Sequence, residues 1–144
     1  MTHQRGFSLI EALIALLVLS IGLIGVAAMQ LKALQSANAG YQRSVASVAA
    51  VDAQERLWAT LGALETGQTC ENINTSAVQA EWREHWFQGG GDATPLRNAI
   101  EAQSEIELSS SGDKCQFTVT VMLSGDESDL LDYTFRLPLV EQSP

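Results

Sequence analysis

A single carboxylate lies inside an otherwise uncharged segment near the start of this chain. Glu11 is the one charged residue between Phe7 and Met29, where the other side chains are apolar or small. A carboxylate at the centre of a membrane helix costs about 2.5 to 3.5 kcal/mol, so such a residue usually marks a functional contact. The chemistry open to Glu11 is ion pairing in lipid, where water does not screen the attraction. The alternative is a carboxyl near the interface, protonated or extended toward water.

The rest of the sequence shows no arrangement typical of a catalytic or metal site. His85 has no partner at metal-ligand spacing. The run Gly89–Gly91 lacks the strand and the lysine of a phosphate-binding loop. The acidic turn 126–129 suggests calcium, but its oxygen ligands are not regularly spaced, which favours a solvated turn. We expect no enzymatic activity, no cofactor and no metal.

The apolar segment is long enough to anchor the chain in a membrane. A helix over residues 7–29 is about 35 Å long, which crosses a bilayer core. Because Arg5 precedes it and positive flanks stay cytoplasmic, the remainder is predicted to lie outside the cytoplasm. A secretory signal cleaved near 27–29 and an uncleaved signal anchor are the other interpretations.

Charge argues against nucleic acid as a partner. The chain has eight Lys and Arg, seventeen Asp and Glu and a net charge of −9. Without a basic stripe it cannot displace the counterions of a phosphate backbone.

Two cysteines, Cys70 and Cys115, fall in the part predicted to lie outside the cytoplasm. Disulfides persist in such compartments, and the even count favours one bond over two free thiols. The bond would close a long loop and contribute up to about 4 kcal/mol.

Periodicity predicts that the first helix continues beyond the membrane, from residue 7 to about 61, with Gly62 and Gly67 bracketing its end. Its 3.6-residue stripe is expected to face the core of a globular domain. The stripe comprises Leu31, Leu34, Tyr41, Val45, Val48, Trp58 and Leu61.

Two short helices are predicted next. Asn74–Ser76 supplies caps for a helix that is stopped by Gly89–Gly91. Its aromatic residues could form a binding platform, but their helical spacing favours the core. These residues are Trp82, Trp86 and Phe87. Thr94–Pro95 is typical of the start of a helix running to about Ala102.

The last third alternates apolar and polar side chains, as antiparallel strands do. Strands are predicted over 103–109, 115–123 and 130–140, with turns over 110–114 and 124–128. One apolar face, for example Phe117 and Phe135, would cover the helix. The pattern predicts an α+β fold with a three-stranded meander.

The segment Arg5-Gly6-Phe7-Ser8-Leu9-Ile10-Glu11 and the apolar helix after it resemble the class III signal of type IV prepilins and pseudopilins. In that superfamily a membrane aspartyl peptidase cuts after the glycine and methylates the new N-terminal phenylalanine. The resemblance implies cleavage between Gly6 and Phe7 and N-methylation of Phe7. The Phe7 amine would then pair with Glu11, either within one chain or between neighbouring subunits, and only the second favours assembly.

Residues 5–58 resemble the PilV family of minor pilins, the type IV pilus modification proteins. The stretches that carry the likeness are 19–25, 29–30, 39–44 and 52–57. It implies a type IV pilin-like fold, with a long N-terminal helix packed on a small C-terminal antiparallel sheet. The implied division is a leader peptide at 1–6, a transmembrane half-helix at 7–29 and a periplasmic globular domain at 30–144.

The resemblance also implies partners and a place. The chain would start in the bacterial inner membrane, single-pass, with its N-terminus cytoplasmic and its C-terminal domain periplasmic. The prepilin peptidase would process it, and it would join other minor pilins and the major pilin in the pilus. We expect a role in pilus assembly or initiation near the tip, supporting adhesion, twitching motility or DNA uptake. The alternatives are a minor pseudopilin of a type II secretion system and a single-span periplasm-facing receptor or enzyme.

Overall fold

The computed structural model describes residues 8–88, 94–96, 99–109, 114–126 and 129–139. The chain divides into two compact units, Met1–Gly40 and Tyr41–Pro144. In order, the elements are helix α1 (Leu9–Gly62), a 3₁₀ turn (Cys70–Asn72), helix α2 (Thr75–Phe87), a second 3₁₀ turn (Glu101–Gln103), and strands β1 (Glu105–Leu108), β2 (Gln116–Met122) and β3 (Leu130–Arg136). A long N-terminal helix with a small antiparallel sheet is the predicted α+β, pilin-like fold, which is confirmed.

The first unit exposes its apolar side chains. Every large apolar residue of α1 from Leu9 to Leu34 is more than half exposed. The predicted start of the helix at Phe7 lies outside the described residues, and the observed helix begins at Leu9. Among the described residues of this unit, no packing therefore explains the hydrophobicity of the segment.

In the second unit, the face of α1 that enters the core consists mainly of alanine. Its buried residues are Ala46, Ala49, Ala50, Ala53, Leu57 and Leu61. The indole Nε1 of Trp82 donates to the backbone carbonyl of Ala49 across 2.8 Å, and the Trp82 side chain is completely buried. Because methyl groups leave room beside the helix backbone, the ring can approach closely. The predicted core position of Trp82 and Trp86 is confirmed.

The predicted core stripe on α1 is wrong for five of its seven residues. The exposed ones are Leu31, Leu34, Tyr41, Val48 and Trp58. Tyr41, Val48 and Trp58 are 61%, 59% and 41% exposed. Val45 and Leu61 do pack with the core. Large apolar side chains at helical spacing favour this stripe in the sequence, whereas the bulky tryptophans of α2 require a neighbour with small side chains.

Helix α2 begins where its cap predicts. The Asn74 side chain accepts a hydrogen bond from the Ala77 amide at 3.2 Å, which satisfies one of the free amides of the first turn. The helix ends at Phe87, and the Gln88 amide closes it on the Glu84 carbonyl. The predicted stop at Gly89–Gly91 lies outside the described residues.

The predicted helix from Thr94 to Ala102 does not form in the described residues, where only Glu101–Gln103 is helical. The Ile100 amide instead donates to the Met122 carbonyl at 2.8 Å. The buried Ser104 hydroxyl donates to the Ile100 carbonyl and accepts from the Met122 amide. A helix this short is marginal in isolation, so bonds to β2 replace it.

The sheet is the predicted meander, antiparallel in the order β1-β2-β3, with Phe117 opposite Leu108 and Phe135. The inward residues of β2 are fully buried. The strands are shorter than predicted. The predicted first strand began at Gln103, which belongs to the 3₁₀ turn, and β2 cannot include Cys115 because its φ of 65° is left-handed.

A disulfide joins Cys70 to Cys115, as the cysteine count predicts. Their Cα atoms lie 5.6 Å apart, and both residues are buried in the core. The bond therefore ties the 3₁₀ turn after α1 to the beginning of β2.

We expect Ala53→Leu to lower the free energy of unfolding by about 1 to 3 kcal/mol, because a larger side chain overpacks the buried alanine face. Ala59→Leu is the matched control, since Ala59 is exposed on the same helix. Urea unfolding of the full chain in detergent measures both. Equal effects of the two variants would contradict the alanine-face packing.

We expect the double variant Cys70→Ala, Cys115→Ala to be less stable than the wild type by roughly 2 to 5 kcal/mol. A reductant should lower the wild-type melting temperature toward that of the variant and leave the variant itself unchanged. A wild type that is insensitive to reductant would show that the bond does not contribute.

Candidate functional site: the N-terminal processing and assembly segment

The first turn of α1 contains the carboxylate identified from the sequence. The Ser8 carbonyl accepts from the amides of Glu11 at 3.0 Å and Ala12 at 3.2 Å. Ser8 therefore occupies the N-cap position, and Ser8-x-x-Glu11 has the spacing of a capping box. The spacing of Ser8 and Glu11 is the sequence signal for this cap, a role not among those predicted for Ser8.

Glu11 thus has a second physical reason for its place. A carboxylate in the first turn interacts favourably with the helix dipole, by about 0.3 to 1 kcal/mol at exposed sites. That is smaller than the cost of placing an acid at the centre of a membrane helix, about 2.5 to 3.5 kcal/mol. The helix dipole therefore offsets only part of the cost of burying Glu11, and a cation would have to offset the remainder.

The expected processing residues, Gly6 and Phe7, lie outside the described residues. Within the described part of the chain Glu11 is exposed and forms no salt bridge. Pairing between Glu11 and the Phe7 amine therefore stays a prediction, as do the cleavage position and the methylation of Phe7.

The helix after Glu11 has the length and composition of a membrane span. Among the described residues it is the one helix that passes this test, and none of its most apolar 18-residue window is buried. The Ser20 hydroxyl donates to the Leu16 carbonyl at 2.7 Å, so the helix satisfies that polar group internally.

Two glycines of this segment have open space beside them in the described part of the unit. A Cβ added at Gly22 or Gly25 would meet no atom within 4 Å. Small residues in a membrane helix allow another helix to approach closely. The open space beside the two glycines is therefore compatible with a contact to another helix, formed only when subunits associate.

The sheet carries a polar concavity of about 470 Å³ on the face opposite the core, lined by Glu107, Leu108, Ser109, Thr118, Thr120 and Asp132. The Thr120 hydroxyl donates to Asp132 at 2.7 Å, and the hydroxyls of Thr118 and Thr134 lie 3.1 Å apart. These are cross-strand pairs of the kind that stabilise a sheet. In the described residues no three His, Cys, Asp or Glu side chains are grouped to hold a metal ion.

Residues 1–27 match the family model described as the prokaryotic N-terminal methylation motif. The motif is that of a type IV pilin-like or pseudopilin-like protein. It covers Gly6, Phe7, Glu11 and most of the apolar segment, and it implies processing by the prepilin peptidase and assembly with other pilins. Together with the exposed apolar helix, it fits anchoring in the inner membrane followed by incorporation into a pilus. Among curated proteins and solved structures, no match to this chain was found.

We expect Glu11→Gln to abolish most incorporation into pili or minor-pilin complexes. Glutamine suits the third position of a capping box as well as glutamate does, so this variant removes the charge and keeps the capping-box sequence. Loss of one partner of a buried ion pair costs about 3 to 5 kcal/mol, which corresponds to a decrease of at least about 100-fold.

Quantitative immunoblotting of sheared pili and membranes measures the effect. Ser20→Ala is the control, because it removes a polar group whose bond lies within the same helix. If Glu11→Gln assembles like the wild type, charge pairing is excluded and helix capping explains Glu11.

Proposed function

We propose that this chain is a minor pilin of the PilV kind, a non-enzymatic subunit that acts in type IV pilus assembly or initiation at or near the fibre tip. The observation that carries the proposal is a combination at the N-terminus. A prepilin methylation motif coincides with a carboxylate in the first turn of a helix whose apolar surface is exposed. An ordinary membrane anchor requires the apolar helix but neither of the other two features.

The proposed sequence of events begins in the inner membrane, where lipid covers the apolar part of α1. Arg5 keeps the leader on the cytoplasmic side. Cleavage between Gly6 and Phe7 removes the leader and creates a positively charged amine. That amine neutralises a carboxylate equivalent to Glu11 in a neighbouring subunit, while the subunit's own Glu11 accepts the next amine. Pairing of this kind favours a bundle over the isolated subunit, because each arriving chain compensates a buried charge.

Leaving the bilayer also requires a substitute for lipid around the helix. Lipid tails are about as apolar as the side chains of a neighbouring helix. Replacing lipid contacts by helix contacts is therefore favoured only by close packing and by satisfied polar groups. Gly22 and Gly25 provide room for such packing, and the Ser20 hydroxyl is already satisfied. These features support transfer of the segment from lipid into a helical bundle.

The globular unit is proposed to remain in the periplasm and then at the fibre surface. Residues 41–144 contain six Lys and Arg and sixteen Asp and Glu, a net charge of −10. Such a unit is a poor ligand for DNA. Support for adhesion, twitching motility or DNA uptake would therefore act through the fibre and its other subunits.

A minor pseudopilin of a type II secretion system is the second candidate, since pseudopilins share the same motif. The likeness to PilV proteins over residues 5–58 favours the pilus. A single-span receptor or enzyme with a chance leader is the third.

We expect the mature protein to begin with N-methylated phenylalanine at position 7. Peptidase-dependent cleavage should be lost in Gly6→Ala, giving a band that keeps the leader, while Gln4→Ala in the same leader should mature normally. N-terminal sequencing and intact mass measure the result. An uncleaved wild-type chain would refute the pilin and pseudopilin proposals and leave the single-span receptor or enzyme.

Deletion of the coding sequence then separates the two systems. Loss of surface pili and of twitching motility, with normal export of enzymes, supports the pilin. Loss of enzyme secretion with normal piliation would support the pseudopilin instead. Complementation with the wild type and with Gly6→Ala controls for effects on neighbouring genes.

A further inference from the structure

The globular unit exposes a row of large apolar side chains on α1. Tyr41, Val48, Val51 and Trp58 are 61%, 59%, 45% and 41% exposed. We refer to these four residues as the outer stripe. A helix on the surface of a domain usually presents charged and polar residues on its outer side, so this row requires an explanation.

The outer stripe lies on the side of α1 opposite the alanine face. At about 3.6 residues per turn, the centres of the two sets differ by roughly 160° around the helix axis. Folding of the unit has therefore used one face of the helix for the core and left a second apolar face. Contiguous apolar surface of this kind marks an interaction site more often than chance exposure does.

The spacing of the stripe indicates what shape of partner fits it. Its members are separated by seven, three and seven residues, which is the a/d spacing of a helix that packs along another helix. From Tyr41 to Trp58 the row is about 25 Å long. A long, narrow apolar row of this length suits a second helix better than a compact pocket or a loop.

One charge interrupts the row and indicates what the partner carries. Glu55 lies between Val51 and Trp58, is exposed, and forms no salt bridge within the described residues. The two arginines of this part of the helix are already engaged. Arg43 contacts Asp129 at 3.3 Å, and Arg56 contacts Asp52 at 2.7 Å.

We propose that the outer stripe docks a helix of a different protein subunit, whose apolar seam carries a lysine or arginine opposite Glu55. Desolvating Glu55 without such a cation would be costly, whereas a charge-assisted pair would fix the register of the two helices. The class of the partner, another subunit with a prepilin-type N-terminus, rests on the proposed function.

Two other occupants fit the surface less well. A second copy of the globular unit adds no cation to the stripe and brings another net charge of −10, so the two bodies repel. A membrane surface would have to accept the charge of Glu55 within the row, and its anionic lipids would repel the acidic unit.

Photo-crosslinking in cells tests the proposal. The full chain is produced in its native host with p-benzoylphenylalanine replacing Val48, and in parallel with the same group replacing Ala80. Ala80 is exposed on α2, away from the stripe. We expect a covalent adduct from position 48 and none from position 80, with mass spectrometry mapping the crosslink to a helix of another prepilin-type chain, beside a lysine or arginine.

Charge reversal at Glu55 provides the second readout. We expect Glu55→Lys to reduce the adduct from position 48 by about tenfold, Glu55→Gln to reduce it less, and reversal of the partner's basic residue to restore it. The proposal is overturned by an adduct with a second copy, with lipid, with the chain's own residues or with an unrelated protein. No adduct, or an adduct indifferent to Glu55→Lys, overturns it as well.

N-terminal sequencing of the same samples distinguishes the two proposals. A correctly processed chain without the expected adduct refutes the docking of the outer stripe and leaves the proposed function standing. An unprocessed chain refutes the proposed function, and with it the class of the partner.

Discussion

Close approach of a tryptophan ring to a helix backbone organises the globular unit. The indole of Trp82 donates to the carbonyl of Ala49, 33 residues earlier in the chain, at 2.8 Å. A helix carbonyl has a second lone pair beyond the one used within the helix, and small neighbouring side chains make it accessible. Trp86 adds a bond of 2.8 Å to Asp52, whose same oxygen also binds Arg56. These contacts fix α2 on α1 and determine which face of α1 is buried.

The consequence is a helix with different surroundings along its length. Up to Gly40 it lies in a unit whose large apolar side chains are exposed, and there a lone carboxylate stands in the first turn. From Tyr41 onward one side is covered by the core, while an apolar row remains on the other. Both exposed surfaces carry one acidic residue, Glu11 or Glu55. In each case the physical problem is the same, because burial of a charged carboxylate within apolar surface is costly unless a cation accompanies it.

The remaining parts of the unit hold the sheet against this helix pair. The disulfide from Cys70 to Cys115 covalently connects the 3₁₀ turn between α1 and α2 to the residue that precedes β2. The buried Ser104 satisfies backbone groups of Ile100 and Met122 at once, and Tyr133 donates to Gln54 across the edge of the sheet at 2.7 Å. The polar groups of Ser104 and Tyr133 are tolerated in the interior because each of them has a partner.

Local physics settled much of this protein from its sequence. Periodicity and glycine placement located the end of α1, an asparagine located the start of α2, and alternation located the meander, since each depends on neighbours within a few residues. With two cysteines there is a single possible pairing. The N-terminal segment likewise carries its own signal, because peptidase recognition reads a short stretch of chain. The match to the methylation-motif family model is accordingly confined to residues 1–27.

The tertiary structure decided the choices in which distant groups compete. Alanine is only moderately apolar, so the sequence favours Val48 and Trp58 as core residues of α1. The alanine face is buried instead because the indole rings of α2 need small side chains beside them. The same holds for Ile100, whose backbone pairs with Met122 rather than continuing a helix, and for Cys115, whose left-handed backbone delays the start of β2. Packing volume and nonlocal hydrogen bonds outweigh propensities worth less than about 1 kcal/mol per residue. Their outcome depends on residues far apart in the chain, and no local pattern contains it.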